Sequence, residues 1–104
     1  MKIFLPPWLY WLERRPPFRP DDRAAVRRII IELVAEVTPV SLPEIGDQSA
    51  LIANLAIDGD DFSMRFVPRI HWVFGIATKQ SDWNNVVRVA DVVELVWRRL
   101  QMPP

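Results

Sequence analysis

The densest group of chemically competent side chains is Asp58, Asp60 and Asp61, set around Gly59. Carboxylates this close together can ligate a cation or cap a helix. A calcium loop starting at Asp58 would need glycine at its sixth position and a bidentate glutamate at its twelfth. The chain has Ser63 and Arg69 there, so no metal is expected and helix capping is the simpler reading. The only histidine, His71, has neither a nucleophile nor an orienting carboxylate at a readable spacing. There is no Ser-His-Asp set, glycine-rich phosphate loop or metalloprotease motif. Absence of cysteine removes a thiolate zinc site, a cysteine nucleophile and a disulfide framework. The expectation is a protein that is not an enzyme and holds no cofactor.

These residues need a scaffold, and 104 residues bound it to one small domain. Half the chain is apolar and a quarter charged, a globular balance. Thirteen basic residues meet thirteen acidic ones, so no overall field favours nucleic acid. A basic cluster of Arg14, Arg15, Arg19, Arg23, Arg27 and Arg28 does not alter that balance.

Hydrophobic spacing predicts three principal helices. Val26, Ile30, Leu33 and Val37 repeat at four, three, four, widened by Ile29 and Val34, which predicts a helix over 21–37. Asp21 or Asp22 can cap it, and Pro39 stops it. Phe62, Phe66, Ile70 and Phe74 predict a second helix over 59–74, capped by the aspartates and ended by Gly75. Pro68 falls inside it, so the helix either kinks there or restarts with Pro68 in a first turn. Val89, Val93, Val96 and Leu100 predict a last helix over 89–100, with Glu94 and Arg98 paired one turn apart. Ser81–Asn85 reads as a short capped turn before it. The connection 38–57 is too rich in Val40, Leu42, Ile45, Leu51, Ile52, Leu55 and Ile57 to hang free, so it should pack over the helices. Trp72, Trp83 and Trp97 read as core or boundary residues.

Residues 1–20 differ from the rest. Pro6, Pro7, Pro16, Pro17 and Pro20 forbid a long regular helix there. The apolar run 3–12 is far short of the roughly 20 residues a spanning helix needs. It is followed by Glu13-Arg14-Arg15 and not by a small-residue cleavage site, so a cytoplasmic location is expected. Trp8, Leu9, Tyr10, Trp11 and Leu12 could fold back over the helices, dock on a partner or second copy, or meet a membrane surface. The expected organisation is a 1–20 proline- and aromatic-rich extension and a 21–104 helical domain.

The order of three helices, a long packed loop after the first and a short turn before the last resembles the acyl carrier protein superfamily over about 21–100. Leu55-Ala56-Ile57-Asp58 is similar to the run that precedes the modified serine of carriers. Phe74-Gly75-Ile76 resembles the step ending their second helix, and Val87–Val93 the start of their last, with Arg88 in place of the usual threonine. The Gly-Asp-Asp step also resembles a small group of bacterial carrier-like proteins. The resemblance implies an all-α, acyl-carrier-protein-like bundle of three main helices plus one short helix.

Carriers bear phosphopantetheine on the serine directly after that aspartate. Here Gly59, Asp60 and Asp61 follow Asp58, and no hydroxyl is offered. Ser63 is the weak alternative attachment site, deeper in the helix and outside the motif. Where carriers show an acidic second helix to basic enzymes, this chain adds Arg65 and Arg69. The resemblance therefore implies a non-catalytic, carrier-like protein-interaction module without an arm. Asp60, Asp61, Arg65, Arg69, Trp8 and Trp11 are the partner-binding candidates. The alternatives are an atypical carrier modified at Ser63, and a peripheral membrane or self-associating protein that uses residues 3–12.

Overall fold

The computed structural model describes residues 18, 20 and 22–102. Apart from Phe18 and Pro20, the expected 1–20 extension lies outside the described residues, Trp8 and Trp11 included. The described residues are mostly helical and contain no β-strand.

The first helix, α1, spans Arg23–Ala35. Asp22 stands before it in extended backbone, and its Oδ1 accepts the Ala25 N–H at 2.7 Å. Val26, Ile30, Leu33 and Val34 are its buried stripe. The helix ends short of the expected Val37 because Thr38 precedes Pro39, and proline pushes its predecessor out of helical backbone. Val37 is consequently only half-buried, while Val34 takes the central place. The Thr38 hydroxyl donates to the Leu55 carbonyl and accepts the Val40 N–H, which ties the helix exit to the far end of the loop.

The connection 38–57 does pack over the helices. Ile45, Leu51, Leu55 and Ile57 are buried, whereas Leu42 and Ile52 face solvent. A 3₁₀ turn, Leu42–Glu44, is its one regular piece. Its middle is pinned by an isolated antiparallel bridge between Ala50 and Arg88. The Leu51 N–H donates to Val87 O at 2.8 Å, and Val89 N–H to Ser49 O at 3.1 Å. Ala56 then turns the chain through the left-handed region, at φ 52°, a costly conformation for a residue with a Cβ.

The second helix, α2, runs over 59–74 and matches the expected span. It opens with Gly59–Asp61, widens into a π-helical turn over Phe62–Phe66, and resumes α geometry over Val67–Phe74. Proline has no N–H, and its ring collides with the carbonyl four residues earlier in an α-helix. The wider turn, with Val67 N–H bonded to Phe62 O, accommodates Pro68 in the first turn of the resumed helix. Backbone stays in right-handed helical dihedrals through both junctions, so α2 restarts without breaking. Gly75 ends it at φ 63°, ψ 38°, where glycine avoids the penalty a Cβ would carry.

A 3₁₀ turn at Gln80–Trp83 follows, starting one residue before the expected Ser81–Asn85 turn and ending two residues short of it. The last helix, α3, spans Val89–Gln101 and buries Val89, Val92, Val93 and Val96. Asp91 sits in its first turn, where Oδ2 accepts the N–H groups of Arg88 and Val87 at 2.9 and 3.0 Å. Those bonds, Arg88's first, hold the Asp91 carboxyl below the usual aspartate range, outweighing a small desolvation cost. Arg98 pairs with Glu94 at 3.1 Å as expected, and Arg23 of α1 reaches the same carboxylate at 2.9 Å.

The core draws on all three helices and the long loop, with Phe66, Phe74, Ile30 and Leu55 among its largest members. No polar or charged side chain is buried among the described residues. None of the described helices is long and apolar enough to cross a membrane.

Candidate functional site: the opening and outer face of the second helix

Asp58 occupies the cap position of α2 in extended backbone, and its Oδ1 accepts the Asp60 N–H at 2.9 Å. This satisfies one of the amide donors that every helix start leaves open. Asp60 and Asp61 follow in the first turn, where negative charge is favoured by the helix dipole. Asp61 also meets Arg65 one turn on, at 3.5 Å. The acidic cluster is thus accounted for by capping and by an exposed ion pair. No group of three or more histidine, cysteine, aspartate or glutamate side chains among the described residues could hold a metal ion.

Gly59, Asp60 and Asp61 give the first turn no hydroxyl. Nothing lies within 4 Å of where a Cβ on Gly59 would stand. Ser63 is exposed, and its hydroxyl donates back to the Gly59 carbonyl at 3.0 Å. It also lines a pocket of about 470 Å³ with Phe62, Val67, Thr78, Lys79 and Trp83.

The four partner-binding candidates on α2 do not form one uniform patch. Asp60 is exposed, and Asp61 and Arg65 are paired with each other. Arg69 turns toward α1. It grips Glu36 through Nη2 at 2.9 Å and through Nε at 3.4 Å, and its guanidinium lies 5.2 Å from the centre of the Trp72 ring. Trp8 and Trp11 lie outside the described residues.

Two features were not read from the sequence. The first is an apolar ridge of Met64, Pro68 and Trp72, spaced by four along α2 on the face away from the core stripe. With Val37 it lines an open groove of about 690 Å³, rimmed by Glu36, Arg65 and Arg69. The four-residue spacing was the available signal, masked by the proline within it. The second is a closed hydrogen-bond cluster. His71 Nε2 lies 2.6 Å from the Thr78 hydroxyl and accepts the Thr78 N–H at 3.2 Å. The Trp83 indole N–H donates to the same hydroxyl at 2.7 Å. With the backbone donor pointing at Nε2, that nitrogen is the acceptor and the threonine hydroxyl donates to it. The imidazole and hydroxyl are thereby committed to holding the 75–83 segment against α2.

A smaller apolar pocket of about 350 Å³ opens beside the start of α2, lined by Leu51, Ile52, Phe62, Trp83, Val86 and Val87 among others. The Phe62 ring packs on Phe66 at 5.5 Å and edge-on to Trp83 at 5.4 Å, which fixes the two rings that line it.

No protein-family model matches this chain, and no curated protein matches it.

Proposed function

We propose that this protein is a non-catalytic, acyl-carrier-like interaction module that has no phosphopantetheine arm. One observation carries the reading. A helix opens at Asp58 after a long packed loop, and its first turn is Gly59, Asp60 and Asp61, without the serine that the resemblance to carriers leads one to expect there. The all-helical plan supports the carrier-like part of the proposal. The exposed opening of α2, with Asp60, Asp61 and Arg65, is the surface offered to a protein partner.

A second reading keeps Ser63 as an atypical attachment site, because its side chain is exposed and borders a pocket. Incubation with a phosphopantetheinyl transferase and coenzyme A separates the two by intact mass. The unmodified chain is expected to gain nothing, and a gain equal to the arm would establish the second reading. The variant Gly59→Ser/Arg65→Glu supplies the hydroxyl where there is room for it and removes the basic side chain beside it. Its modification is expected under the carrier-like reading. If it stays unmodified while a genuine carrier in the same tube reacts, the carrier-like reading fails.

A further inference from the structure

The groove on the outer face of α2 is apolar and close to neutral. Met64 is 75% exposed and Trp72 47% exposed, an unusual pair to leave to water on one helix face. Of the charges on its rim, Glu36 and Arg69 neutralise each other and Arg65 is paired with Asp61. The fixed stack of Arg69 on Trp72 holds the indole in place as a wall. Such a surface suits an apolar, aromatic occupant.

The chain passes the end of the helix that carries this groove. Phe18 packs against the core, and its N–H donates to Val73 O at 2.7 Å, at the last turn of α2 and next to Trp72. Phe18 is thereby anchored at the turn of α2 that bears Trp72. Trp8, Leu9, Tyr10, Trp11 and Leu12 stand a short way upstream, beyond Pro16-Pro17. Extended chain covers roughly 3.3–3.6 Å per residue, so the stretch from Phe18 back to Trp11 reaches up to about 25 Å. The ridge from Trp72 to Met64 needs only about 12 Å at the helical rise. A tether this short gives an effective concentration on the order of millimolar, which favours its own chain over any second copy.

We infer that the aromatic segment 8–12 docks in cis on the groove formed by Val37, Met64, Pro68 and Trp72. Its docking covers the outer groove and leaves Asp60 and Asp61 open, with Arg65 bordering both surfaces; the inference does not rest on the carrier-like reading.

Methionine oxidation tests it in the intact chain. Met102 is 55% exposed and serves as the internal reference for Met64. With dilute peroxide and peptide mass spectrometry, Met64 is expected to oxidise roughly threefold more slowly than Met102, despite its greater exposure. Trp8→Ala/Trp11→Ala is expected to bring Met64 up to or above the Met102 rate and leave Met102 unchanged. If Met64 oxidises at least as fast as Met102 in the unmodified chain, the inference is overturned, whether or not the double variant folds. Protection of Met64 that grows with protein concentration would place the segment on a second copy and overturn docking in cis.

Discussion

Arg69 of α2 holds Glu36, the residue that closes α1, with two nitrogens on two carboxylate oxygens. The pair is only partly exposed, at 31% and 21% of the side chains, so water screens it less than a surface pair. Arg69→Lys keeps the charge but cannot reproduce the planar, two-pronged contact or the stack on Trp72. A loss of about 1 kcal/mol is expected, seen as a lower urea midpoint with an unchanged slope. Arg65→Lys, on the exposed pair with Asp61, should move the midpoint by much less.

Pro68 is the second test. A proline in a helix interior ordinarily costs about 3 kcal/mol. The π-helical turn before it has already removed the collision and placed it in a first turn, where its missing N–H matters little. Pro68→Ala is therefore expected to change stability by less than about 1 kcal/mol in thermal or urea unfolding. A gain near the full interior penalty would show that the proline is strained after all.

These two positions show how far the sequence could be read. The spans of α2 and α3 followed from apolar residues recurring at helical period and from Gly75, because burial and left-handed backbone each leave a local mark. Pro68 was legible as a conflict but not as a solution, since the wider turn depends on how Phe62 and Phe66 pack. The early end of α1 could have been drawn from Thr38-Pro39, had the rule for residues before proline outweighed the spacing of Val37. Arg69 reads from the sequence as a partner-binding candidate because Glu36, which it holds, lies far away along the chain. The capping by Asp58 was legible, as it is local, whereas the joining of His71, Thr78 and Trp83 depends on how the 75–83 segment folds back.

That cluster makes a third prediction. Thr78→Val keeps the shape but removes the hydroxyl that accepts from Trp83 and donates to His71. The half-buried Trp83 indole N–H then loses its acceptor while His71 keeps only the Thr78 N–H, at a cost of about 1 kcal/mol. Chemical unfolding measures the loss, and the Trp83 indole proton should move toward its unbonded position in the NMR spectrum. Thr78→Ser keeps the hydroxyl and should retain most of the stability.

Asp91 gives the fourth. Its carboxyl is held below the ordinary aspartate value by the N–H groups of Arg88 and Val87, with the Arg88 charge adding to them. A lowered folded value means that the carboxylate stabilises the fold above the unfolded pKa of about 3.9 and loses that contribution as pH falls through the folded value. Asp91→Asn should be less stable than the unmodified chain at neutral pH. The difference between the two should shrink as pH drops below about 4, followed by the unfolding midpoint across a pH series. A gap that stays constant into acid would place the effect in packing instead of charge.

The bridge between Ala50 and Arg88 changes what kind of object the long connection is. With Leu51 N–H on Val87 O and Val89 N–H on Ser49 O, the chain from α1 to α2 is two short closures sharing one knot, rather than one wide arc. Closure entropy grows only slowly with length, so the segment before the knot can lengthen or shorten at little thermodynamic cost. The segment after it cannot, because Leu55, Ala56 and Ile57 set the angle at which Asp58 begins its helix. Variation in length among chains of this plan should therefore accumulate ahead of Asp47 and leave 51–58 constant in number.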